Sequence, residues 1–155
     1  LHGQVMAGET GFCKEENLIL LLSLLMERWG QAGGETVPDW EEKIRSACRF
    51  MEDHCGERIR LDEICRHAGL SKSTLLRAFT RAKGVTPYCY LENIRVEAAR
   101  KLLEQGAAPA EAALSAGFSD QSHFTNYFSR FIGLSPGAYR DIFWKRGENS
   151  HGSEK

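Results

Sequence analysis

One short pattern occurs twice in this 155-residue chain, and two copies at a nearly constant spacing leave few folds open. Ile64-Cys65-Arg66-His67-Ala68-Gly69-Leu70-Ser71 leads into Lys72-Ser73-Thr74-Leu75-Leu76-Arg77-Ala78-Phe79. Ala68-Gly69 and Ser71 meet Ala116-Gly117 and Ser119 at a shift of 48 residues, whereas Phe79, Gly84 and Thr86-Pro87 meet Phe128, Gly133 and Ser135-Pro136 at a shift of 49. One residue is therefore expected to be inserted near the start of the helix that follows the second turn. Each copy ends in Gly, an apolar residue, Ser or Thr, then Pro, which is a helix C-cap followed at once by an N-cap with Pro at the first helical position. The chain is thus expected to be all-α, with helix, tight turn, helix built twice.

In the second copy, Ser119 is expected to cap a helix whose Phe124, Tyr127, Phe128 and Phe131 recur at 3/4 spacing and bury one face. The opposite face then carries Gln121, Ser122, Thr125 and Asn126. Short hydrogen-bonding side chains on an exposed face suit the reading of base edges in a major groove. A surface helix with neutral polar decoration shows the same pattern in one copy, but two such units in tandem are far harder to reach by chance.

Residues 41–145, about two thirds of the chain, resemble the DNA-binding domain of the AraC/XylS family of bacterial transcription regulators. The resemblance is carried by Leu61-Asp62-Glu63-Ile64-Cys65, Gly69-Leu70-Ser71, Leu75-Leu76-Arg77-Ala78-Phe79 and Gly84-Val85-Thr86-Pro87. It continues through Arg95-Val96-Glu97-Ala98-Ala99-Arg100-Lys101-Leu102-Leu103 and Ala116-Gly117-Phe118-Ser119-Asp120-Gln121-Ser122-His123-Phe124, and closes with Gly133-Leu134-Ser135-Pro136-Gly137-Ala138-Tyr139-Arg140. It implies seven helices: two helix-turn-helix subdomains joined by a long central helix. It also implies double-stranded promoter DNA as the partner, RNA polymerase as a further candidate partner, and homodimerisation of a full-length protein through an N-terminal domain.

Charge agrees once it is divided by region. Residues 1–56 hold 5 Lys/Arg against 10 Asp/Glu, whereas residues 57–146 hold 14 against 9, within a chain of net charge −1. The repeat region is the basic one, as a nucleic-acid surface requires. The five cysteines include no CxxC pair, the histidines show no H-x-x-H or H-E-x-x-H spacing, and no signal peptide leads the chain. These features favour a reducing cytoplasm and no metal site or cofactor. Cys48 and Cys55 are expected to act as small hydrophobes rather than as a thiol sensor or metal pair.

The organisation follows in order. Residues 1–36 are expected to be the remnant of an N-terminal effector and dimerisation domain plus a Gly-rich linker, since the chain opens on Leu1 rather than Met. Leu18-Ile19-Leu20-Leu21-Leu22-Ser23-Leu24-Leu25-Met26 is far too short for the ~20 residues that span a bilayer. It predicts a helix over about 15–30 that packs on a missing domain, on a second chain, or on the body of its own domain. Residues 37–146 are expected to hold the tandem domain: first unit 37–84, connecting helix 87–104, second unit 107–146. A supporting helix expected to open at Pro38-Asp39 and to end around Cys55-Gly56 carries the stripe Trp40, Ile44, Ala47, Cys48 and Met51, and residues 147–155 are expected to be a disordered tail.

In the first unit Leu75, Ala78 and Phe79 are expected to face inward, and Lys72, Ser73, Leu76 and Arg77 to face DNA. Arg77 suits guanine O6/N7, with a phosphate contact or surface ion pair as its alternative, and Leu76 suits only a thymine methyl. Many members of the family have a polar residue at the position of Leu76, so narrower reading is expected from this half. The connecting helix is expected to bury Tyr88, Leu91, Ile94, Ala98 and Leu102. Its 18 residues span roughly 27 Å at ~1.5 Å each, a little under the ~34 Å between successive major-groove faces. Arg95 matches the family arginine of this helix and is expected to tie it to a subdomain. In the second unit Gln121 and Asn126 suit adenine, Ser122 and Thr125 accept either base type, and His123 packs on the turn. Ala112 stands where the family usually has a larger aliphatic, so this half is expected to be the less stable. Thr86, Arg130, Ser135, Arg140, Lys145 and Arg146 are expected to meet phosphates.

Three function classes remain: a transcription regulator, a helical interaction module built on residues 18–26, and an enzyme such as a cysteine alkyl acceptor. The last lacks a His or Glu partner to activate any cysteine, so no catalytic residue is expected.

Overall fold

In the computed structural model of the protein the described residues are Leu18, Ile19, Leu21, Leu22, Leu25 and 40–148, with side chains described as far as Trp144. Seven helices follow in order: α1 (Trp40–Asp53), α2 (Leu61–Ala68), α3 (Lys72–Lys83), α4 (Pro87–Glu104), α5 (Pro109–Ser115), α6 (Gln121–Ile132) and α7 (Pro136–Glu148). No strand occurs among the described residues. The described residues form two compact units, one of those up to 54 and of 58–91, the other of 55–57 and 92–148.

The first unit packs α1, α2, α3 and the first turn of α4. Ile44, Ala47, Cys48 and Met51 recur at helical spacing on α1 and are buried together with Leu61, Ile64 and Cys65 of α2 and Leu75, Leu76 and Phe79 of α3. α2 begins with the Arg60 N–H donating to the Glu63 carboxylate at 2.7 Å. It ends at Gly69 (φ +62°), where the Leu70 N–H reaches back to the Cys65 carbonyl. Two residues later Ser71 caps α3, its Oγ accepting from the Thr74 N–H.

In the second unit Val96, Ala99 and Leu103 of α4, Ala112, Ala113 and Ala116 of α5, and Phe118, Phe124 and Phe128 form one buried cluster. Three phenylalanine rings fill the volume that the short alanine side chains leave open. Arg95, only 2% exposed, donates to the carbonyls of Cys55 (3.0 Å) and Glu57 (2.9 Å), and so ties α4 to its subdomain as expected. At the far end Tyr139 of α7 donates to Glu104 (2.7 Å), which also pairs with Arg100.

Several expectations need correction. In its second half α4 buries Glu92, Arg95, Val96, Ala99 and Leu103, whereas Ile94, Ala98 and Leu102 are only partly covered. The two halves of α4 belong to different cores, so one continuous stripe does not describe it. Phe131, expected in the core, is 48% exposed, because the buried stripe of α6 runs through Phe124, Phe128 and Ile132 at intervals of four and leaves Phe131 to one side. α7 runs to Glu148, so Gly147 and Glu148 are helical rather than part of a tail. The described residues of the apolar stretch are helical, and Leu18, Leu21, Leu22 and Leu25 are between 51% and 59% exposed. The rest of 15–30, the linker, the start of α1 at Pro38-Asp39 and residues 149–155 lie outside the described residues.

Candidate nucleic-acid interface

Both units present a 12-residue helix after a tight turn, with one face buried and a polar face outward. The local grammar is the same: a positive-φ glycine (Gly69 at +62°, Gly117 at +88°), a short extended link, a side-chain N-cap, then a glycine C-cap (Gly84 at +75°, Gly133 at +86°). The extra residue of the second copy sits in the link, not in the helix. Phe118 and Ser119 separate Gly117 from its cap, where Leu70 alone separates Gly69 from Ser71. The second N-cap is consequently Asp120 rather than Ser119. Its carboxylate accepts from the N–H groups of Ser122 (2.8 Å) and His123 (3.1 Å). A carboxylate with two oxygens and a full charge is the stronger cap at the positive end of a helix. Gly117 is tightly constrained: a Cβ there would lie 2.3 Å from the Cys55 carbonyl oxygen.

On α3, Lys72, Ser73 and Arg77 are half-buried on the outward side of the helix. Lys72 Nζ lies 3.1 Å from Asp62 Oδ1 on α2, and Ser73 Oγ lies 3.4 Å from Ser71 Oγ. Leu76, expected to face DNA, is fully buried. It falls beside Leu75 on the wide apolar side of α3, and its aliphatic chain gains more from the core than from water. Of the four positions, Lys72, Ser73 and Arg77 stay on the outward side of this helix. On α6, Gln121, Ser122 and Asn126 are exposed and Thr125 is half-buried. At the constant shift of 49, Thr125 occupies the position of Leu76 and Asn126 that of Arg77.

Of the phosphate candidates, Arg130 and Ser135 are exposed, whereas Thr86 and Arg140 are half-buried. Thr86 Oγ1 accepts from the Cys89 N–H and Ser135 Oγ from the Ala138 N–H, so both hydroxyls act as caps. The positive ends of these helices suit an anion. Arg140 pairs with Asp141 at 3.0 Å. The side chains of Lys145 and Arg146 lie outside the described residues. Sequence reasoning missed Arg81, which is exposed and stands 49 residues before Arg130; the repeat itself would have found it. It also missed Glu92, which carries no repeat signal. His123 packs on the turn as expected, its ring edge-on to Phe118 at 5.8 Å.

The electrostatics of the two faces differ. α3 offers Lys72, Arg77 and Arg81, whereas α6 offers neutral amides and hydroxyls with Arg130 near its end. A cationic face supplies phosphate attraction and guanine recognition, and an amide face supplies paired donors and acceptors that match adenine. Among the described residues no group of three His, Cys, Asp or Glu is placed to hold a metal ion, and no helix is long and apolar enough to cross a membrane.

Residues 64–142 match the family described as a helix-turn-helix domain. The chain is 40% identical over 124 residues to an uncharacterised HTH-type transcriptional regulator, YbfI, of Bacillus subtilis, covering 79% of this chain and 45% of that protein. It is 28% identical over 145 residues to the arabinose operon regulatory protein of Escherichia coli K12, covering 90% of this chain and 50% of that one. The chain therefore spans about half the length of the curated relatives it matches. Among solved structures, the DNA-binding domain of the global transcriptional factor AdpA, in complex with a target DNA, superposes with a TM-score of 0.63 at 27% identity, over 70% of this chain and 97% of that one. A probable AraC family transcriptional regulator from Rhodopseudomonas palustris CGA009 gives 0.62 at 26% identity, over 66% and 97%. With its tandem turns, its capped 12-residue helices and these relatives, the chain belongs to the AraC-type helix-turn-helix family.

Proposed function

We propose that the chain is the DNA-binding portion of a transcription regulator that recognises double-stranded promoter DNA in a sequence-specific way, with α3 and α6 as its reading helices. The observation that carries this is the polar face built twice on helices of equal length between matching glycine caps. Lys72, Ser73 and Arg77 read one half-element, with Arg77 on guanine. Gln121, Ser122, Thr125 and Asn126 read the other, with Gln121 and Asn126 on adenine. Arg81, Arg130, Arg140, Lys145, Arg146 and the helix starts after Thr86 and Ser135 hold phosphates. The 18 residues of α4, roughly 27 Å long, support entry into successive major grooves.

The domain reading is that residues 37–146 bind DNA and 1–36 end a preceding effector and dimerisation domain. The protein acts in the bacterial cytoplasm, without cofactor or catalytic activity of its own, beside RNA polymerase. The exposed leucines at 18, 21, 22 and 25 favour a second reading alongside the first, in which this helix mediates helix–helix association and homodimerisation.

Selection of bound duplexes from a random library, followed by a salt titration of the winner, tests the proposal. The expected result is an asymmetric site with two patches about ten base pairs apart, whose affinity falls with a log–log slope of about −0.9 per neutralised phosphate. No enrichment with a shallow slope would leave only the interaction module.

A further inference from the structure

Beneath the first turn of α6 lies a buried charged group that direct base reading does not use. Glu92 is fully buried and Arg95 is 2% exposed, with Arg95 Nη1 3.5 Å from Glu92 Oε1. The other carboxylate oxygen, Oε2, lies 3.9 Å from Nε2 of His123. His123 is the third residue of α6, next to Gln121 and Ser122, and its side chain is 31% exposed. The line of contacts is continuous: the carbonyls of Cys55 and Glu57 hold Arg95, Arg95 faces Glu92, and Glu92 faces the imidazole. Asp120 accepts the His123 N–H, the Phe118 ring stands edge-on, and the Tyr127 ring lies 6.2 Å away with its hydroxyl hydrogen-bonded to Asn93 at 3.3 Å.

We infer that Glu92 is a positioning residue for DNA recognition, holding the first turn of α6 in its reading attitude through His123 and making the second half-element's recognition depend on pH. A carboxylate that cannot reach water is costly unless countercharged, so it draws a protonated imidazole towards α4. Imidazoles change charge between pH ~5 and ~8. On the acid side the ion pair forms and Gln121 and Ser122 are held in place. On the alkaline side the pair is lost, and the Asp120 cap and the packing of the ring on Phe118 stay. This inference rests on the DNA-binding reading above.

The test compares the wild-type 155-residue chain with Glu92→Gln and His123→Gln, using the selected duplex and one with its second half-element scrambled. Wild-type affinity for the selected duplex is expected to fall about tenfold between pH ~5.5 and ~8, while binding to the scrambled duplex stays level. Both variants should lose that slope on the selected duplex. A histidine drawn to DNA phosphates instead would keep its pH slope in Glu92→Gln, and that result overturns the inference, as does a flat wild-type profile. The partial exposure of His123 makes His123→Gln the variant that folds if a change at buried Glu92 does not. NMR titration of the His123 imidazole in the free chain adds a readout without DNA. The titration should move to lower pH in Glu92→Gln, and an unchanged titration overturns the inference even where no duplex binds. Failure of the wild-type chain to bind any duplex counts against the DNA-binding reading alone.

Discussion

Arg77 and Arg81 lie on the same helix but are expected to fail differently when removed. Arg77→Ala takes away a bidentate guanine contact, so it should cost about 1–3 kcal/mol on the selected site and far less on random duplex. Arg81→Ala and Arg130→Ala should weaken selected and random duplexes alike and reduce the salt slope by about 1 each. Equal losses for Arg77→Ala on both kinds of DNA would assign it to phosphate instead. The glycines separate in the same manner. Gly84→Ala has open space around it and should cost only the strain of positive φ, about 1 kcal/mol. Gly117→Ala drives a methyl against the Cys55 carbonyl oxygen and should cost markedly more in urea denaturation. Which side chains share the outward face was legible at most positions of the site, because each copy of the repeat checks the other. Leu76 was not, since helical spacing alone puts a residue between two faces and only the packed core shows which face takes it. Glu92 was not legible either, because a lone carboxylate on a helix reads as solvated surface until its neighbours are known.

At the scale of the element, caps decide where each reading helix starts. Asp120→Ala removes the acceptor for two backbone N–H groups and should cost about 1 kcal/mol, seen as a lower midpoint of chemical unfolding. Ser119→Ala should be nearly neutral, and the reverse ranking would restore Ser119 as the cap. Both ends of α4 and the glycine ends of α3 and α6 were foreseen because Gly and Pro mark those boundaries through backbone chemistry that acts locally. The face of α4 was foreseen less well. A helix shared by two cores changes its buried stripe midway, and periodicity in one helix carries no record of which partner lies on which side.

Stability belongs to the whole molecule, and its alkaline limit is one place where side-chain chemistry reaches that scale. Burial first, and then the hydrogen bond to Glu52, push the Tyr90 phenol well above its ordinary value of 10.0. The folded chain thus favours the neutral phenol. This contribution is complete below about pH 10 and is lost as pH rises beyond it towards the folded value. Cys48 is likewise raised, by burial, and Tyr139 by burial and Glu104. Tyr90→Phe should therefore flatten the fall in thermal midpoint above pH ~10, and a fall as steep as wild type would assign alkaline unfolding to other groups. By itself the sequence determined the all-helical class, the tandem arrangement, the glycine C-caps and most of the polar faces. Those features arise from periodicity and from backbone preferences of neighbouring residues. Only the tertiary structure decided that Leu76 is core, that Phe131 is not, that Asp120 caps α6, and that Glu92, Arg95 and His123 meet. Burial and long-range pairing depend on residues tens of positions apart, which local pattern does not encode.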